Sequence, residues 1–458
     1  MLRNISTLLL DNAARPNYGA AVTDADGDGH FEIVVAGFGG RNLLLKWDGS
    51  ALRDIAPPLL ADVGRQAIGV AAADIDADGQ EEIYILNTDT FGGRKQVGDR
   101  LFDRYIQGWV DLFSLPENFN AVNLIAGRSV AALDRDGDGR YGFVVASYGG
   151  PLRLYELGPD ARLVDVAPEA GLALTTGGRS LIALPLVSGG MDVFAANEHG
   201  ANFLFCSRGD GTFEEEGQQR RLGDMHENGR GVAALDANGS GRFDLVLGNW
   251  EGPHRLFIQD ARGEFHDQAP PALAAPSRVR TVIAADLDND GYEEIFFNNI
   301  GQPNRLFGWR DGAWQPIDIG EAAEPHGLGT GAVVGDFDED GRLELLITHG
   351  EMAAQPLSLY CAQPTDHHWL RVLPLTAFGA PARGALVRLS AGGRVQMRAI
   401  DAGSGYLCQM EPVAHFGLGA VDRVDRVEVR WPDGASQVIE APQPDRLLRV
   451  QHPRRGAP

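Results

Sequence analysis

An acidic run of the form D-x-D-x-D-G, in full or softened, recurs six times along 458 residues, beginning at Asp24, Asp74, Asp134, Asp236, Asp286 and Asp336. A single copy would be weak evidence, because Asp and Gly also make ordinary turns. Six copies in register, about fifty residues apart, are an internal repeat, and a repeat of that length dictates a modular architecture. The interval between Asp134 and Asp236 is twice the pitch, and a degraded unit fills it: Gly127-Arg-Ser-Val-Ala-Ala-Leu-Asp is answered by Gly178-Arg-Ser-Leu-Ile-Ala-Leu-Pro. There Pro185 takes the first ligand position, Val187 and Gly189 stand where acids should be, and Gly190 keeps position 6. The chain reads as seven units, one of them without a metal loop.

Each loop can be read position by position. Asp24, Asp26, Asp28 and Glu32 occupy positions 1, 3, 5 and 9 of the first, as do Asp74, Asp76, Asp78 and Glu82 of the second. The last two loops repeat the set with Asp286, Asp288, Asp290 and Glu294, and with Asp336, Asp338, Asp340 and Glu344. Alternate carboxylates converge on one point only where the chain curls sharply, which glycine at position 6 permits, and a backbone carbonyl at position 7 would complete an oxygen shell for a hard dication such as Ca2+. Those carbonyls belong to His30, Gln80, Arg140, Arg242, Tyr292 and Arg342. Two loops are poorer. The third has Asp134, Asp136 and Asp138 but Gly142 at position 9, and the fourth has Asp236, Asn238, Ser240 and Asp244. Ligand charge tunes affinity, so these two are expected to bind more weakly, within a total of up to six Ca2+.

An EF-hand needs a bidentate Glu at position 12 between two helices. Position 12 is apolar throughout (Val35, Ile85, Val145, Leu247, Phe297, Ile347), and the flanks alternate as strands do. The other reading, polar turns holding no metal, must crowd three or four carboxylates without a cation, which is strongly repulsive.

The formal charge is −23, and the six loops hold 21 of the carboxylates. Six dications would bring the charge to −11, so the acidity belongs mostly to the metal sites and no basic face is left for nucleic acid. Three cysteines, Cys206, Cys361 and Cys408, imply no disulfide framework and are expected to be buried small apolar residues. No segment is long enough to span a membrane. The apolar stretch of the first ten residues is too short for a signal peptide, which leaves the cytoplasm open as a compartment.

Every unit shares one grammar: a small-residue apolar run such as Gly231-Val-Ala-Ala-Leu, the loop, a strand such as Phe243-Asp-Leu-Val-Leu-Gly, a turn, a third strand such as His254-Arg-Leu-Phe-Ile, and often a Gly-x-Phe turn into a fourth. Four short antiparallel strands repeated seven times predict an all-β fold, a seven-bladed β-propeller over residues 1–364. A solenoid is the alternative, but its terminal repeats should look like caps and these do not. The last unit has three strands, and one orphan strand, residues 4–10, precedes the first loop; this strand is expected to complete the final blade. Residues 365–458 change grammar, with Trp369-Leu-Arg-Val, Gly384-Ala-Leu-Val-Arg-Leu, Val427-Glu-Val-Arg-Trp and Leu447-Leu-Arg-Val predicting a small antiparallel, β-sandwich-like domain. Thr90 to Gly98 is the largest insertion and is expected to be a surface loop.

The repeats resemble FG-GAP/VCBS-type propeller repeats, which include the integrin α-subunit head. The tail motifs, Gly393-Arg-Val-Gln-Met-Arg, Gly403-Ser-Gly-Tyr-Leu, His415-Phe-Gly-Leu-Gly and Val427-Glu-Val-Arg-Trp-Pro-Asp-Gly, resemble the ASPIC/UnbV domain. Together they look like the cartilage acidic protein family with its bacterial members. The resemblance covers nearly the whole chain and implies a calcium-binding, extracellular or periplasmic protein used for interaction or adhesion. It lacks an evident signal peptide and the EGF-like module of vertebrate members.

Weaker signals remain. Arg128, Arg179, Arg230 and Arg280 stand six residues before successive loop positions, where inner strands begin, and could gather at one mouth of the central channel. They form an anion site for a small acid or a sulfated sugar, or, more plainly, pair with nearby carboxylates. His226, Glu227 and His326 lie just upstream of inner strands. Arg208-Gly209-Asp210 falls in a tight turn where the repeat already calls for Gly and Asp, so it is read as coincidence. His415 is read as a structural hydrogen-bonder. No nucleophile elbow, P-loop, dinucleotide fingerprint or zinc spacing occurs, and no catalytic residue is assigned. The expected protein is a monomeric, calcium-binding interaction module for a macromolecule or glycan. The alternative is a lyase- or cyclase-type enzyme, or a small-anion binder, working at the channel mouth.

Overall fold

The computed structural model describes residues 1–454. Five four-stranded antiparallel sheets and one eight-stranded sheet account for the repeats. The larger sheet is two four-stranded units (the third and fourth) joined where Gly142–Pro151 pairs with Thr175–Leu184. The first unit shows the pattern: Asn17–Thr23, Glu32–Gly37, Leu43–Trp47 and Leu52–Asp54, in sequence order across the sheet. The innermost strands are Asn17–Thr23, Ala67–Ala73, Gly127–Leu133, Thr175–Leu184, Gly229–Leu235, Val279–Ala285 and Gly329–Gly335. Each packs beside the next, and the last lies against the first, so the units close into a ring.

The final unit lacks a fourth strand of its own and takes it from the N-terminus. Leu2, Arg3 and Asn4 pair with Ala362, Cys361 and Tyr360. The orphan strand is thus Leu2–Asn4, not 4–10 as the sequence predicts. Asn4 Oδ1 accepts the Ser6 amide at 2.8 Å and turns the chain into a short 3-10 helix, Ser6–Leu8.

Inner strands rich in Ala and Gly are explained by what fills the ring. Residues 401–411 of the C-terminal module run through it as a plug. Val22 N donates to Gln409 O (3.1 Å) and Gln409 N to Ala20 O (2.9 Å); Val232 and Gly405 exchange both bonds at 2.8 Å. Val70 N reaches Leu407 O, Ala132 N reaches Ala402 O, and Ser180 Oγ reaches Gly405 O. The Gln409 side chain closes on both backbone groups of Ala72, at 2.7 and 2.9 Å. A Cβ on Gly19 would stand 2.0 Å from Leu407 O, so only glycine lets the strand approach the plug so closely. The central channel that the sequence leaves open is therefore filled.

The C-terminal module is a sandwich. One sheet holds His368–Pro374, Ala414–Gly419 and Leu447–Val450; the other holds Leu386–Ala391, Arg394–Ala399, Arg426–Arg430 and Ser436–Glu440. Its core is Leu370, Val372, Val387, Leu389, Phe416 and Val427. One pair departs from the expected antiparallel order: His368–Pro374 runs parallel to Leu447–Val450, because the chain crosses between the sheets before returning.

The insertion at Thr90 to Gly98 is only partly a surface loop. Phe91 is exposed, but Lys95 is buried, where its ammonium donates to Asn87 O at 2.6 Å and pairs with buried Asp99. All three cysteines are buried and unpaired.

Candidate metal centres

All six acidic loops lie at one end of the ring, between inner and second strands. One division of labour runs through three of the four full loops, those beginning at Asp24, Asp286 and Asp336; in the loop at Asp74 the first carboxylate spends both oxygens, on Gly79 N (3.0 Å) and Ala77 N (2.7 Å). In the first, Asp24 Oδ2 accepts Gly29 N (2.9 Å), Asp26 Oδ1 accepts Asp28 N (3.3 Å), Asp28 Oδ1 accepts His30 N (3.0 Å) and Glu32 Oε2 accepts Ala25 N (2.8 Å). The loop at Asp286 repeats this with Gly291, Asp290, Tyr292 and Leu287, and the loop at Asp336 with Gly341, Asp340, Arg342 and Phe337. One oxygen of each carboxylate thus holds the turn, and at position 1 the other oxygen is left over. Asp24 Oδ1, Asp286 Oδ1, Asp336 Oδ1 and Glu344 Oε1 are buried and accept nothing. Buried, unpaired carboxylate oxygens are costly unless a proton or a cation joins them, and clustered oxygens of this kind suit a hard dication.

Electrostatics agree. Burial, aided by neighbouring carboxylates, pushes Asp74, Asp134, Asp286 and Asp336 up to about 7, as burial does for Glu32. Glu82, Glu294 and Glu344 go well above their ordinary range for the same reasons. Oxygen ligands of Asp24, Asp26 and Glu32, of Asp74, Asp76 and Asp78, and of Asp286, Asp288 and Asp290 each lie within 4.8 Å of one another.

The two loops with fewer carboxylates leave no free oxygen at position 1, as in the loop at Asp74. Asp134 spends both oxygens on amides, of Gly139 on one side and Gly137 and Asp138 on the other, and Asp136 is half-exposed. Asp236 is likewise spent on Gly241 and Ser240. Asn238 Oδ1 accepts Ser240 N, and Asp244 commits both oxygens, to Ala237 and Gln259. Only Ser240 Oγ stays buried and unpaired in the Asp236 loop. Arg242 turns outward to Gln259 O. In the degraded unit the loop is one residue shorter, so Asp192 falls at the position-9 register, opposite Leu184. Its two oxygens take the Val187, Ser188 and Ser207 amides and the Ser188 hydroxyl, which leaves none for an ion.

Third strands add residues that loop spacing does not reveal. Lys46 and Asp103 share one register, each following the residue paired with Ile33 or Ile83. Lys46 Nζ bonds Asp28 at 2.6 Å, pairs with Asp26, and lies 3.0 Å from Glu32. Asp103 instead joins Asp76 and Glu82 as a further acid. Arg310 reaches Asp288, Asp290 and Glu294 at 3.0, 2.8 and 3.0 Å. Within its own loop, Arg342 folds back on Asp340. First and second loops of identical motif thus differ by two units of charge at one strand position.

The C-terminal module docks on this same acidic end. Arg383, fully buried, bonds Glu81 at 2.5 and 3.1 Å; Arg371 lies 2.9 Å from Asp336 and pairs with Glu411; Arg398 lies 3.2 Å from Glu293. Gly417 N donates to Asp286 Oδ2 at 2.8 Å, and His415 bonds Asn289 at 2.6 Å while stacking on Trp369. Burial drives His415 well below its ordinary range, consistent with a neutral, structural ring.

At the opposite mouth, Arg128, Arg179, Arg230 and Arg280 do gather, around Tyr406 at the tip of the plug. Three pair with carboxylates: Arg179 and Arg230 share Glu198, and Arg280 takes Glu351. His226 and His326 form no side-chain hydrogen bond with them among the described residues.

The comparisons with known proteins agree with this architecture. Residues 24–85, 188–247, 236–297 and 286–347 match the FG-GAP-like repeat, and residues 377–457 match the ASPIC and UnbV family. The molecule is an FG-GAP-repeat β-propeller with an ASPIC/UnbV tail. It is 46% identical over 484 residues to cartilage acidic protein 1 of Homo sapiens, covering 97% of this chain and 73% of that protein. The Xenopus tropicalis protein of the same name is 47% identical over 462 residues, covering 92% and 71%. The chain belongs to the cartilage acidic protein family. Among solved structures, BBS1N in complex with ARL6DN aligns with a TM-score of 0.50 at 11% identity, over 80% of this chain and 96% of that one, a likeness of fold alone.

Proposed function

We propose that the protein is a calcium-binding interaction module, in which Ca2+ at the acidic loops holds both the propeller ring and its docked tail in one rigid shape. One observation carries this reading: in the loops at Asp24, Asp286 and Asp336, the first carboxylate secures the turn with one oxygen and buries the other with no proton donor. Asp24, Asp26, Asp28 and Glu32, with their counterparts at Asp74, Asp286 and Asp336, would hold the ions, and Asp103 would add to the second site. The ions would offset repulsion among carboxylates, so the loops would open without them. Arg371 and Gly417 touch ligand residues directly, so ion binding and tail docking would reinforce each other.

Among the described residues no helix is long and apolar enough to cross a membrane. The likeness to cartilage acidic protein favours a rigid surface presented to a macromolecule or glycan outside the cell. The test is direct. Calorimetric titration of chelator-stripped protein with Ca2+ should show several sites, and a site held at a hundred times its Kd contributes about 2.7 kcal/mol to stability. EDTA should therefore lower the melting temperature markedly, and Asp286→Ala should remove one ion while sparing the rest. An unchanged melt after EDTA, together with no bound divalent ion, would refute the reading.

A further inference from the structure

The arginine cluster at the mouth away from the acidic loops is built by a shared backbone device. The ladder of every inner strand slips in its first half, and in the four units concerned the slip spans the arginine: between Gly127 and Ser129, Gly178 and Ser180, Gly229 and Val232, and Val279 and Val282. Such bulges break strand alternation and re-aim a side chain. Here they turn Arg128, Arg179, Arg230 and Arg280 to the mouth, in an arc over four consecutive units.

Aromatic rings space the arc. Arg128 and Arg179 both lie 5.1 Å from the Phe91 ring centre and flank Tyr148 at 5.9 and 4.5 Å. Arg230 and Arg280 flank Trp250 at 5.6 and 4.2 Å. Glu198 bridges Arg179 and Arg230, Arg230 Nη2 at 2.8 Å, and Glu351 grips Arg280 at 2.6 and 2.7 Å.

The charges do not balance. Four guanidiniums, each 4–7% exposed, meet two carboxylates. Arg128 has no carboxylate and donates only to the Phe91 carbonyl; its Nε and that of Arg230 are buried without an acceptor. Burying cations in excess is costly unless an anion joins them. Tyr406 stands among all four with its hydroxyl free of hydrogen bonds to the described residues. Burial alone would raise its phenol, yet the guanidiniums hold it below its ordinary value, a measure of the positive potential there.

We propose that this mouth is an oxyanion site, in which Arg128 and Arg230, with the Tyr406 hydroxyl, take a sulfate or phosphate group that is either free or carried on a glycan. Arginine forks match such oxygens bidentately, and the flanking aromatic rings keep the guanidiniums apart and pre-oriented. The site is independent of the metal loops at the other end of the ring, so its failure would not touch the calcium reading.

The test is calorimetry on the calcium-loaded full chain, titrated with sodium sulfate against sodium chloride at matched ionic strength. One sulfate per chain is expected. Arg128→Gln, which orphans no carboxylate, should weaken binding about tenfold or more, as loss of one charge-assisted pair does. Tyr406→Phe should weaken it, and Glu198→Gln, which removes a competing anion, should tighten it; a purely structural cluster would show neither effect. A sulfated disaccharide binding more tightly than inorganic sulfate, with its desulfated form silent, would identify a glycan-borne group; equal or weaker binding would identify the free ion. No heat of binding from the wild type at about 10 mM sulfate would overturn the proposal, as would sulfate affinity that none of the three variants changes. Should Arg128→Gln fail to fold, Tyr406→Phe and Glu198→Gln decide the matter alone.

Discussion

Arg383→Met would test whether the tail and the propeller form one cooperative body. The guanidinium is fully buried and makes five hydrogen bonds: Glu81 at 2.5 and 3.1 Å, Val22 O at 3.0 Å, Asp401 O at 2.8 Å and Met410 O at 3.4 Å. Methionine fills much of the same space but leaves the Glu81 carboxylate with only the Thr23 hydroxyl, at 2.8 Å, in a site where Glu81 is 6% exposed. Removing one partner of such a buried pair costs about 3–5 kcal/mol. Unfolding entropy for a chain of this length is about 1 kcal/mol per degree, so the melting temperature should fall by about 3–5 °C in calcium-saturated buffer. The double variant Arg383→Met with Glu81→Met removes both charges, and apolar replacement of a buried pair is often neutral, so it should return to within about 1–2 kcal/mol of the wild type. Circular dichroism melts of the four proteins measure the cycle. A loss below about 1 kcal/mol in Arg383→Met, or a double variant as unstable as the sum of the singles, would refute a buried, charge-compensated junction.

Three further outcomes follow from particular contacts. Lys46→Met should raise calcium affinity at the first loop, because the ammonium competes for Asp26, Asp28 and Glu32; titration calorimetry showing a weaker first site would contradict this. Gly417→Ala would place a Cβ 2.3 Å from Asn289 and 2.4 Å from Asp286 Oδ2, so it should cost about 1–3 kcal/mol and weaken the Asp286 site, read by melts with and without calcium. His254 accepts the Asn249 amide at 3.0 Å where other units use Asn42, Asn202 and Asn304, and burial pushes it down to about 3. Its folded value lies below the unfolded value of about 6.5, so its contribution is full above pH 6.5 and is lost as pH falls toward 3, at about 1.4 kcal/mol per unit. Between pH 7 and 5, His254→Asn should lose about 2 kcal/mol less than the wild type; equal pH dependence in urea melts would show that the ring is protonated in place.

What the sequence determined alone is what short-range chemistry controls. The spacing of acids and glycine within nine residues specifies a loop whose carboxylates curl inward, and strand alternation on both sides excludes helices. Repetition extends that local rule to a ring of units, and even the arginine arc is legible, because each arginine sits at a constant offset from its loop. Tertiary structure decided everything that depends on residues far apart in the chain. Lys46 and Asp103 lie 14 and 21 residues beyond the last position of their loops, at one register with opposite charge, and only strand pairing brings them to the carboxylates. Arg383 meets Glu81 across 302 positions. The plug at 401–411 carries ordinary loop residues, with nothing to mark a destination inside the ring, and the small inner-strand residues that make room for it read equally well as plain β-sheet. A hollow channel and a filled one share the same local pattern, and their difference lies in contacts that form only once the ring has closed.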